Sequence, residues 1–174
     1  MWPVPLPPAD LDDGAVSLRE YRSADADGLF RALRDERAWE HIPRPIPRDA
    51  GELDAMMQAA ALRLRFTVRH GDSIVGTTAV IYEPAEPQAV EIGATIFDPA
   101  VWGTGVNTRV KHLLIPALFA QQVAWIQFRT DERNARSAAA IRKLGATDLG
   151  IRQDDLVRRD GTVRRSRFFR LERP

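Results

Sequence analysis

Two glycines, Gly103 and Gly105, flank a threonine directly ahead of a segment with helical character. Glycines at a helix start let the backbone approach a phosphate closely, and the unpaired N–H groups of the first turn attract an anion. A Walker A loop is excluded, because Val106 and Asn107 follow where that loop requires lysine and serine or threonine. Two readings remain for this segment alone: a backbone site for a phosphate, or a plain strand-to-helix turn that uses glycine for its φ angles.

A dinucleotide-binding fingerprint is the other phosphate motif to consider here. It requires a third glycine, which Thr108 replaces, and residues 98–102 separate Gly103 from the preceding strand. Asp131, at the end of the next predicted strand, does imitate the ribose-binding acid of such folds. This alternative therefore stays open.

The chain has the length and charge balance of one globular domain. Its 174 residues are 44% hydrophobic and 28% charged, and 25 basic residues nearly cancel 24 acidic ones to leave a net charge of +1. That balance gives no reason to expect a nucleic-acid or membrane partner. The absence of cysteine excludes disulfides, thiolate metal sites and a cysteine nucleophile.

The N-terminal segment, residues 1–14, is rich in proline and is expected to form a poorly ordered leader before a single domain at 15–174. It lacks the apolar stretch of a secretory signal, and we predict a cytoplasmic protein. The three histidines, His41, His70 and His112, have no metal-ligand spacing, so no metal is expected.

Apolar periodicity predicts the element order βααβββαβαββ, which describes a mixed α+β domain with a largely antiparallel sheet. Near the C-terminus, Asp160 and Gly161 predict a two-residue hairpin turn. Helices are predicted from about residues 23 and 50, and at 105–120 and 134–144. Strands are predicted at 15–21, 65–70, 73–83, 89–97 and 123–130, with two more on either side of 159–162.

Residues 91–150 contain two specific patterns in order. The first is the glycine-rich segment at 102–107. The second is Asn134 and Ser137, with Gly145 eight residues after the serine. Together they resemble the GCN5-related N-acetyltransferase (GNAT) superfamily, specifically its branch similar to ribosomal-protein N-terminal acetyltransferases of the RimJ/RimL type.

The family's pyrophosphate motif, Gln/Arg-x-x-Gly-x-Gly/Ala, is matched strictly at Gly105. Trp102 stands where a polar or basic side chain is usual, and Asn107 stands where a tiny residue is usual. Binding through backbone N–H groups tolerates such changes better than binding through side chains. We expect Trp102 to pack beneath the loop and Asn107 to reach the cofactor or cap the helix.

The resemblance implies the GNAT acyl-CoA N-acyltransferase fold, with a mixed sheet of six or seven mostly antiparallel strands and about four helices. It also implies direct transfer of acetyl from acetyl-CoA to a primary amine in a ternary complex, without a metal, and it allows a homodimer. Candidate acceptors are a protein N-terminus, a free amino acid, a polyamine and an aminoglycoside. The alternative is a non-catalytic module that binds or senses acyl-CoA.

The resemblance also assigns the acetyl-CoA site. It places the thioester carbonyl near residues 95–97 and the pyrophosphate on the glycine-rich loop. The predicted cofactor-binding residues are Thr95, Ile96, Phe97, Trp102, Gly103, Thr104, Gly105, Val106, Asn107, Thr108, Asn134 and Ser137.

Acetyl transfer needs a proton for the departing thiolate, and many GNAT members supply it from a tyrosine. Ile141 stands at that position, and the resemblance shifts the role to Ser137, four residues earlier on the same helical stripe. The alternative for Ser137 is that it only satisfies the first turn of a helix that Asn134 caps.

The acceptor amine must also lose a proton. Glu91 alternates with apolar residues in its strand and projects to the opposite face, where Gly93 leaves room beside it. Glu91 is therefore our candidate general base, directly or through water. The alternative is an ordinary solvated carboxylate.

Two further groups of residues have weaker assignments. In the family, the segment after the first helix borders the acceptor pocket, so Trp39 and His41 are candidate substrate contacts. Arginines gather around the last hairpin, where exposure on an edge explains them better than binding of RNA or of an acidic acceptor. They are Arg158, Arg159, Arg164, Arg165, Arg167 and Arg170.

Overall fold

The computed structural model describes residues 11–59 and 62–174. The predicted leader therefore lies outside the described residues up to residue 10. Its described end forms a two-residue strand, β1 (Leu11–Asp12), which pairs antiparallel with β2 (Val16–Glu20). This part of the segment belongs to the sheet of the domain.

The other elements follow the predicted order. The helices are α1 (Ala26–Ala32), α2 (Ala50–Gln58), α3 (Val106–Ala120) and α4 (Ala135–Arg142), and short 3-10 turns occur at Ser23–Asp25, Glu36–Trp39 and Pro99–Val101. The remaining strands are β3 (Arg63–His70), β4 (Ser73–Tyr82), β5 (Ala89–Phe97), β6 (Trp125–Asp131), β7 (Thr147–Val157) and β8 (Val163–Glu172).

The described strands form one sheet of eight, in the order β1-β2-β3-β4-β5-β6-β8-β7. The mixed α+β class is confirmed, and the strand beyond the predicted six or seven is β1, which is too short to show an alternating pattern. Among the described strands, only β5 and β6 pair in parallel, and their ladder extends from Ala89 opposite Trp125 to Glu91 opposite Gln127. Beyond Glu91 the two strands separate.

The turn between β7 and β8 differs from its prediction. The Arg158 N–H donates to the Thr162 carbonyl at 2.9 Å, which closes a loop of three residues rather than two. Gly161 has a φ of +80°, the left-handed conformation that completes a type I turn in such loops. The Asp-Gly pair therefore identified the hairpin but not its length.

Apolar side chains cover the two faces of the sheet in two clusters. Under α1 and α2, Leu29 and Leu53 pack against Trp39 and Ile96. Under α3 and α4, a larger cluster includes Leu114 of α3, Ile141 of α4 and Phe97 of β5. Because Ile96 and Phe97 are neighbours in β5 and belong to different clusters, the two helical layers lie on opposite faces. Among the described residues, no helix is both long and apolar enough to cross a membrane.

Candidate active site

A cavity of about 650 Å³ lies where β5 and β6 separate. β5 carries a bulge at this point, because Ala94 and Thr95 together oppose Thr78 of β4. Ala94 has a φ of +48°, which is uncommon for a residue other than glycine. A bulge leaves its extra residue outside the ladder, so the backbone here is available to a ligand.

The glycine-rich loop borders the same cavity. Gly103 and Gly105 have φ angles of +75° and +89°, and Gly105 is the N-cap of α3. A Cβ at either position would meet no atom within 4 Å, so the loop surface is open. Thr104 and Val106 are predicted to contact the cofactor, and we expect both to do so through their backbone. The Thr104 hydroxyl already donates to the Val101 carbonyl at 2.7 Å, and the Val106 side chain is buried in the core.

Asn107, in the first turn of α3, lines the cavity together with Thr108. Its Oδ1 atom is buried and has no hydrogen-bond partner among the described residues. The prediction that Asn107 caps the helix is wrong, because the N-cap is Gly105 and no side chain forms a capping hydrogen bond there. A buried acceptor without a donor is costly, and a ligand N–H group would relieve that cost.

Trp102 also lines the cavity, and it packs half-buried against the larger apolar cluster. The guanidinium carbon of Arg136 lies 3.4 Å from the centre of its ring. This stacking brings a positive charge to the position where the GNAT motif usually has a polar or basic side chain. We did not predict Arg136, although it lies between Asn134 and Ser137 in the sequence.

Asn134 and Ser137 lie at the start of α4 and line the cavity. The Asn134 Oδ1 atom accepts from the Ser137 N–H at 3.0 Å, so Asn134 is the predicted N-cap. The Ser137 hydroxyl has no hydrogen-bond partner among the described residues, and the side chain lines the cavity. The backbone of Ser137 thus satisfies the helix start while its hydroxyl stays available to a ligand.

Glu91 lies on the cavity wall at the last paired position of β5 and β6. Its Oε2 atom accepts from Gln127 Nε2 at 2.8 Å and lies 3.5 Å from Arg129 Nε. Its side chain is 12% exposed, so it is not an ordinary solvated carboxylate. A Cβ at residue 93 would come within 2.7 Å of the other oxygen, Oε1, so Gly93 leaves room for the carboxylate in this position.

Thr95, Ile96 and Phe97, which are predicted to bind the cofactor, all line the cavity. Thr95 follows the bulge, and its hydroxyl lies 2.7 Å from that of Thr78. Ile96 and Phe97 are buried in the two opposite clusters and fix the strand on both sides. The bulge is therefore held rigidly at the point where the resemblance puts the thioester carbonyl.

Lys111 of α3 completes this part of the cavity wall. Its ammonium nitrogen lies 3.2 Å from the Thr95 hydroxyl and 3.4 Å from that of Thr78, and the residue is 5% exposed. It has no carboxylate partner among the described residues, and burial lowers its pKa to about 7. We missed Lys111, although it shares a helical stripe with Leu114 and Leu118 and therefore had to face the sheet.

Trp39 and His41 both border the cavity. Trp39 is 1% exposed, and its ring N–H donates to the Leu33 carbonyl at 2.7 Å, so it mainly supports the core. His41 is more accessible, and burial lowers the pKa of its imidazole. Of the two predicted substrate contacts, His41 is the one whose polar atoms remain available.

Asp131 is buried in an ion-pair network with hairpin arginines, which corrects two expectations. Arg158 Nε lies 2.8 Å from its carboxylate, and Arg164 lies within 4.0 Å. Arg164 is 7% exposed and also lies 3.5 Å from Asp154, so these two arginines are not exposed edge residues. Asp131 is likewise not free to hold a ribose, and the mostly antiparallel sheet removes the dinucleotide-binding alternative. Among the described residues, no cluster of acidic and histidine side chains could hold a metal ion.

Comparisons with known proteins agree with this architecture. No curated protein sequence matches the chain. A probable GNAT-family acetyltransferase from Chromobacterium violaceum is 26% identical, with a TM-score of 0.86 over 95% of this chain and 87% of that one. An acetyltransferase from Salmonella typhimurium that modifies the N-terminal serine of ribosomal protein L7/L12 is 14% identical, with a TM-score of 0.82 over 95% and 100%. Mycobacterium smegmatis RimJ, in complex with CoA-disulfide, is 18% identical, with a TM-score of 0.79 over 95% and 88%.

The family comparison covers most of the chain. The model described as "Acetyltransferase (GNAT) domain" matches residues 16–147, a span that runs from β2 to the start of β7 and contains the whole glycine-rich loop and α4. The bulge, the two sequence patterns and every residue that lines the cavity except Leu156 and Arg164 lie inside this span. The chain therefore belongs to the GNAT acetyltransferase family.

Proposed function

We propose that the protein is an acetyl-CoA-dependent N-acetyltransferase that moves acetyl directly onto a primary amine within a ternary complex. The observation that carries the proposal is the meeting, in one cavity, of the open glycine-rich loop, the bulge of β5, Glu91 and the free hydroxyl of Ser137. The RimJ and Salmonella typhimurium neighbours support a relation to the RimJ/RimL branch by likeness of fold.

Three features of the cavity fit CoA. Gly103 and Gly105 leave the loop backbone open at the start of α3, where N–H groups and the helix dipole suit a pyrophosphate. Asn107 offers a buried, unpartnered acceptor to an amide N–H of the ligand. Trp102 occupies the motif position where a polar or basic side chain is usual. Arg136 stacks on Trp102 and adds the positive charge that this position lacks.

Bound acetyl-CoA would supply the thioester, and residues of the chain would accept and donate the protons of the reaction. Glu91 accepts the proton from the acceptor amine, held in place for this by Gln127 and Arg129. The backbone of the bulge at residues 94–95 donates to the carbonyl oxygen as negative charge develops there. Ser137 donates a hydrogen bond to the departing sulfur and relays a proton to it, because its hydroxyl takes one from solvent as it gives one up, so that CoA leaves as the thiol.

Lys111 supports the bulge from the α3 side through the Thr95 hydroxyl. Because its pKa is about 7, it can hold or release a proton at neutral pH. We assign it as a positioning residue that fixes Thr95, and hence the backbone donors of the bulge.

The test combines binding with product formation. Calorimetric titration with acetyl-CoA should show binding, and a thiol reagent should detect released CoA when an accepted amine is added. The chain contains no cysteine, so the thiol assay has no background from the protein itself. Absence of heat and of thermal stabilisation at millimolar acetyl-CoA would refute the proposal. Binding without thiol release across a broad amine panel would instead support the non-catalytic acyl-CoA module.

A further inference from the structure

A group of three arginines, which we call the basic patch, lines the cavity beyond Glu91. Arg63 and Arg65 come from β3, and Arg44 comes from the segment between the 3-10 turn and α2. None of the three guanidinium groups has a hydrogen-bond or ion-pair partner within 11–59 and 62–174. This is unusual in a chain whose other partly buried arginines mostly lie beside carboxylates, as Arg158 and Arg164 do.

Arg65 carries the strongest indication of a ligand. Its side chain lines the cavity, the residue is 9% exposed, and its Nε atom is buried without a hydrogen-bond partner among the described residues. Burial and the neighbouring charges of Arg63 and Arg44 lower its pKa to about 10. A buried cation beside two others is costly unless an anion joins them. Glu91 acts electrostatically on Arg63, but no carboxylate of the described residues lies within ion-pair distance of the three guanidinium groups.

The sheet register relates the basic patch to the candidate base. Arg63 lies opposite Ile81, and Ile81 lies opposite Glu91, so Arg63 and Glu91 are two strands apart on one row. Two strand spacings amount to roughly 10 Å between backbones, and both side chains line the same cavity. A small molecule can therefore reach Glu91 with one end and the basic patch with the other.

Given the proposed acetyltransferase function, on which this inference rests, we infer that the acceptor is a primary amine that also bears a carboxylate or phosphate. Arg63 and Arg65 bind this oxyanion, with Arg44 at the exposed rim, while the amine lies at Glu91. Guanidinium groups match the planar carboxylate and the phosphate with paired hydrogen bonds. The same charges repel polycations, so polyamines and aminoglycosides are disfavoured as acceptors.

Matched amine pairs test this inference directly. Thiol release is measured for alanine against alaninamide and for phosphoethanolamine against ethanolamine, which separates a carboxylate from a phosphate preference. For at least one pair, we expect kcat/KM to be roughly tenfold or more higher for the anionic member. The Arg63→Gln and Arg65→Met variants should reduce that ratio to within about twofold of unity. Arg34→Gln, which removes the same charge from an exposed position on another part of the surface, should retain the wild-type ratio.

A binding measurement complements the kinetics. With CoA present at saturation, so that its own phosphate sites are filled, sulfate should raise the Tm of the wild type and of Arg34→Gln by more than that of Arg63→Gln, in which only the general stabilising effect of sulfate remains. Arg63 is only half-buried, so this variant remains informative even if Arg65→Met fails to fold.

The outcomes separate this inference from the proposed function. Acetyl-CoA binding and transfer with equal or higher kcat/KM for the neutral amines would overturn the anionic acceptor and leave the acetyltransferase in place. A preference for anionic amines that persists in both arginine variants would also overturn it. Failure of the wild type to bind acetyl-CoA would refute the proposed function itself.

Discussion

Lys111 provides the sharpest test of the site, because its burial has a thermodynamic cost that can be measured. Its pKa falls from 10.5 to about 7 in the folded protein. At about 1.4 kcal/mol per pKa unit, this corresponds to a cost of about 5 kcal/mol at neutral pH. Lys111→Met keeps the length of the side chain and removes the amine. After loss of the two hydroxyl contacts, each worth about 1 kcal/mol, the variant should be more stable by roughly 3 kcal/mol.

The pH dependence identifies the cause of this gain. Because the folded pKa lies below the unfolded value, the unfolded chain holds a proton that the native protein lacks between about pH 7 and 10.5. The stability of the wild type should therefore rise relative to Lys111→Met by about 1.4 kcal/mol per pH unit in this window. Below about pH 7 both states of the wild type are protonated, and the difference between the two proteins should become constant.

Urea unfolding of both proteins at several pH values between 6 and 9 provides the measurement, with Lys143→Met as the matched control. Lys143 is exposed at the C-cap of α4, so the same replacement there controls for the loss of a charge in the unfolding measurement; because Lys143 also lines the cavity, it is not a control for kcat. If the free energies of unfolding of the wild type and Lys111→Met change in parallel with pH, the lowered pKa of Lys111 is refuted. If Lys111 positions Thr95, the more stable variant should also have a lower kcat, because it loses the contact with the Thr95 hydroxyl that holds the bulge. An unchanged kcat would show that Lys111 packs in the core but does not position Thr95.

Three further substitutions test the proposed roles separately. Glu91→Gln should lower kcat by roughly 10²- to 10⁴-fold with little change in acetyl-CoA affinity, since it removes the base but keeps the side-chain volume; turnover and a pH–rate profile like those of the wild type would exclude the role. Ser137→Ala should reduce kcat by roughly 10²-fold while calorimetry gives an unchanged Kd, because Asn134 still caps the Ser137 N–H; a weakened Kd would point to binding rather than proton transfer. Arg136→Gln should weaken acetyl-CoA binding by roughly fivefold and reduce its salt dependence, and an affinity equal to that of the wild type would remove Arg136 from the phosphate site.

Local sequence patterns were sufficient for most of the fold. Alternation and helical periodicity predicted the order of the elements from β2 onward, and the positive φ angles of Gly103 and Gly105 are what a glycine-rich helix start requires. The departures have local reasons. A two-residue strand such as β1 has no period to detect, and the Asp-Gly pair is compatible with both two- and three-residue hairpin loops.

The site was predictable only where a pattern lies within one element. Asn134 and Ser137 belong to a single helix start, and both were found. Lys111, Arg63 and Arg65 acquire their importance from packing between elements, because a basic residue in a helix or strand is normally solvated. Single-sequence patterns do not show that β3 turns two arginines into the cavity, or that α3 buries an amine under the bulge of β5.

Asp131 resembles a ribose-binding acid in the sequence, but in the structure its buried ion-pair network supports the candidate site in another way. Its carboxylate accepts from the Arg133 N–H at 2.9 Å, and its carbonyl accepts from the Asn134 N–H at 2.9 Å, so Asp131 shapes the turn that leads into α4. Arg158 and Arg164 hold this carboxylate from the β7–β8 hairpin. Removing one partner of such a buried pair is strongly destabilising, because it leaves an uncompensated charge. The hairpin arginines therefore shape the candidate site through α4: they hold Asp131, Asp131 shapes the turn that begins α4, and the start of α4 places Ser137 beside the cavity that Arg164 also lines.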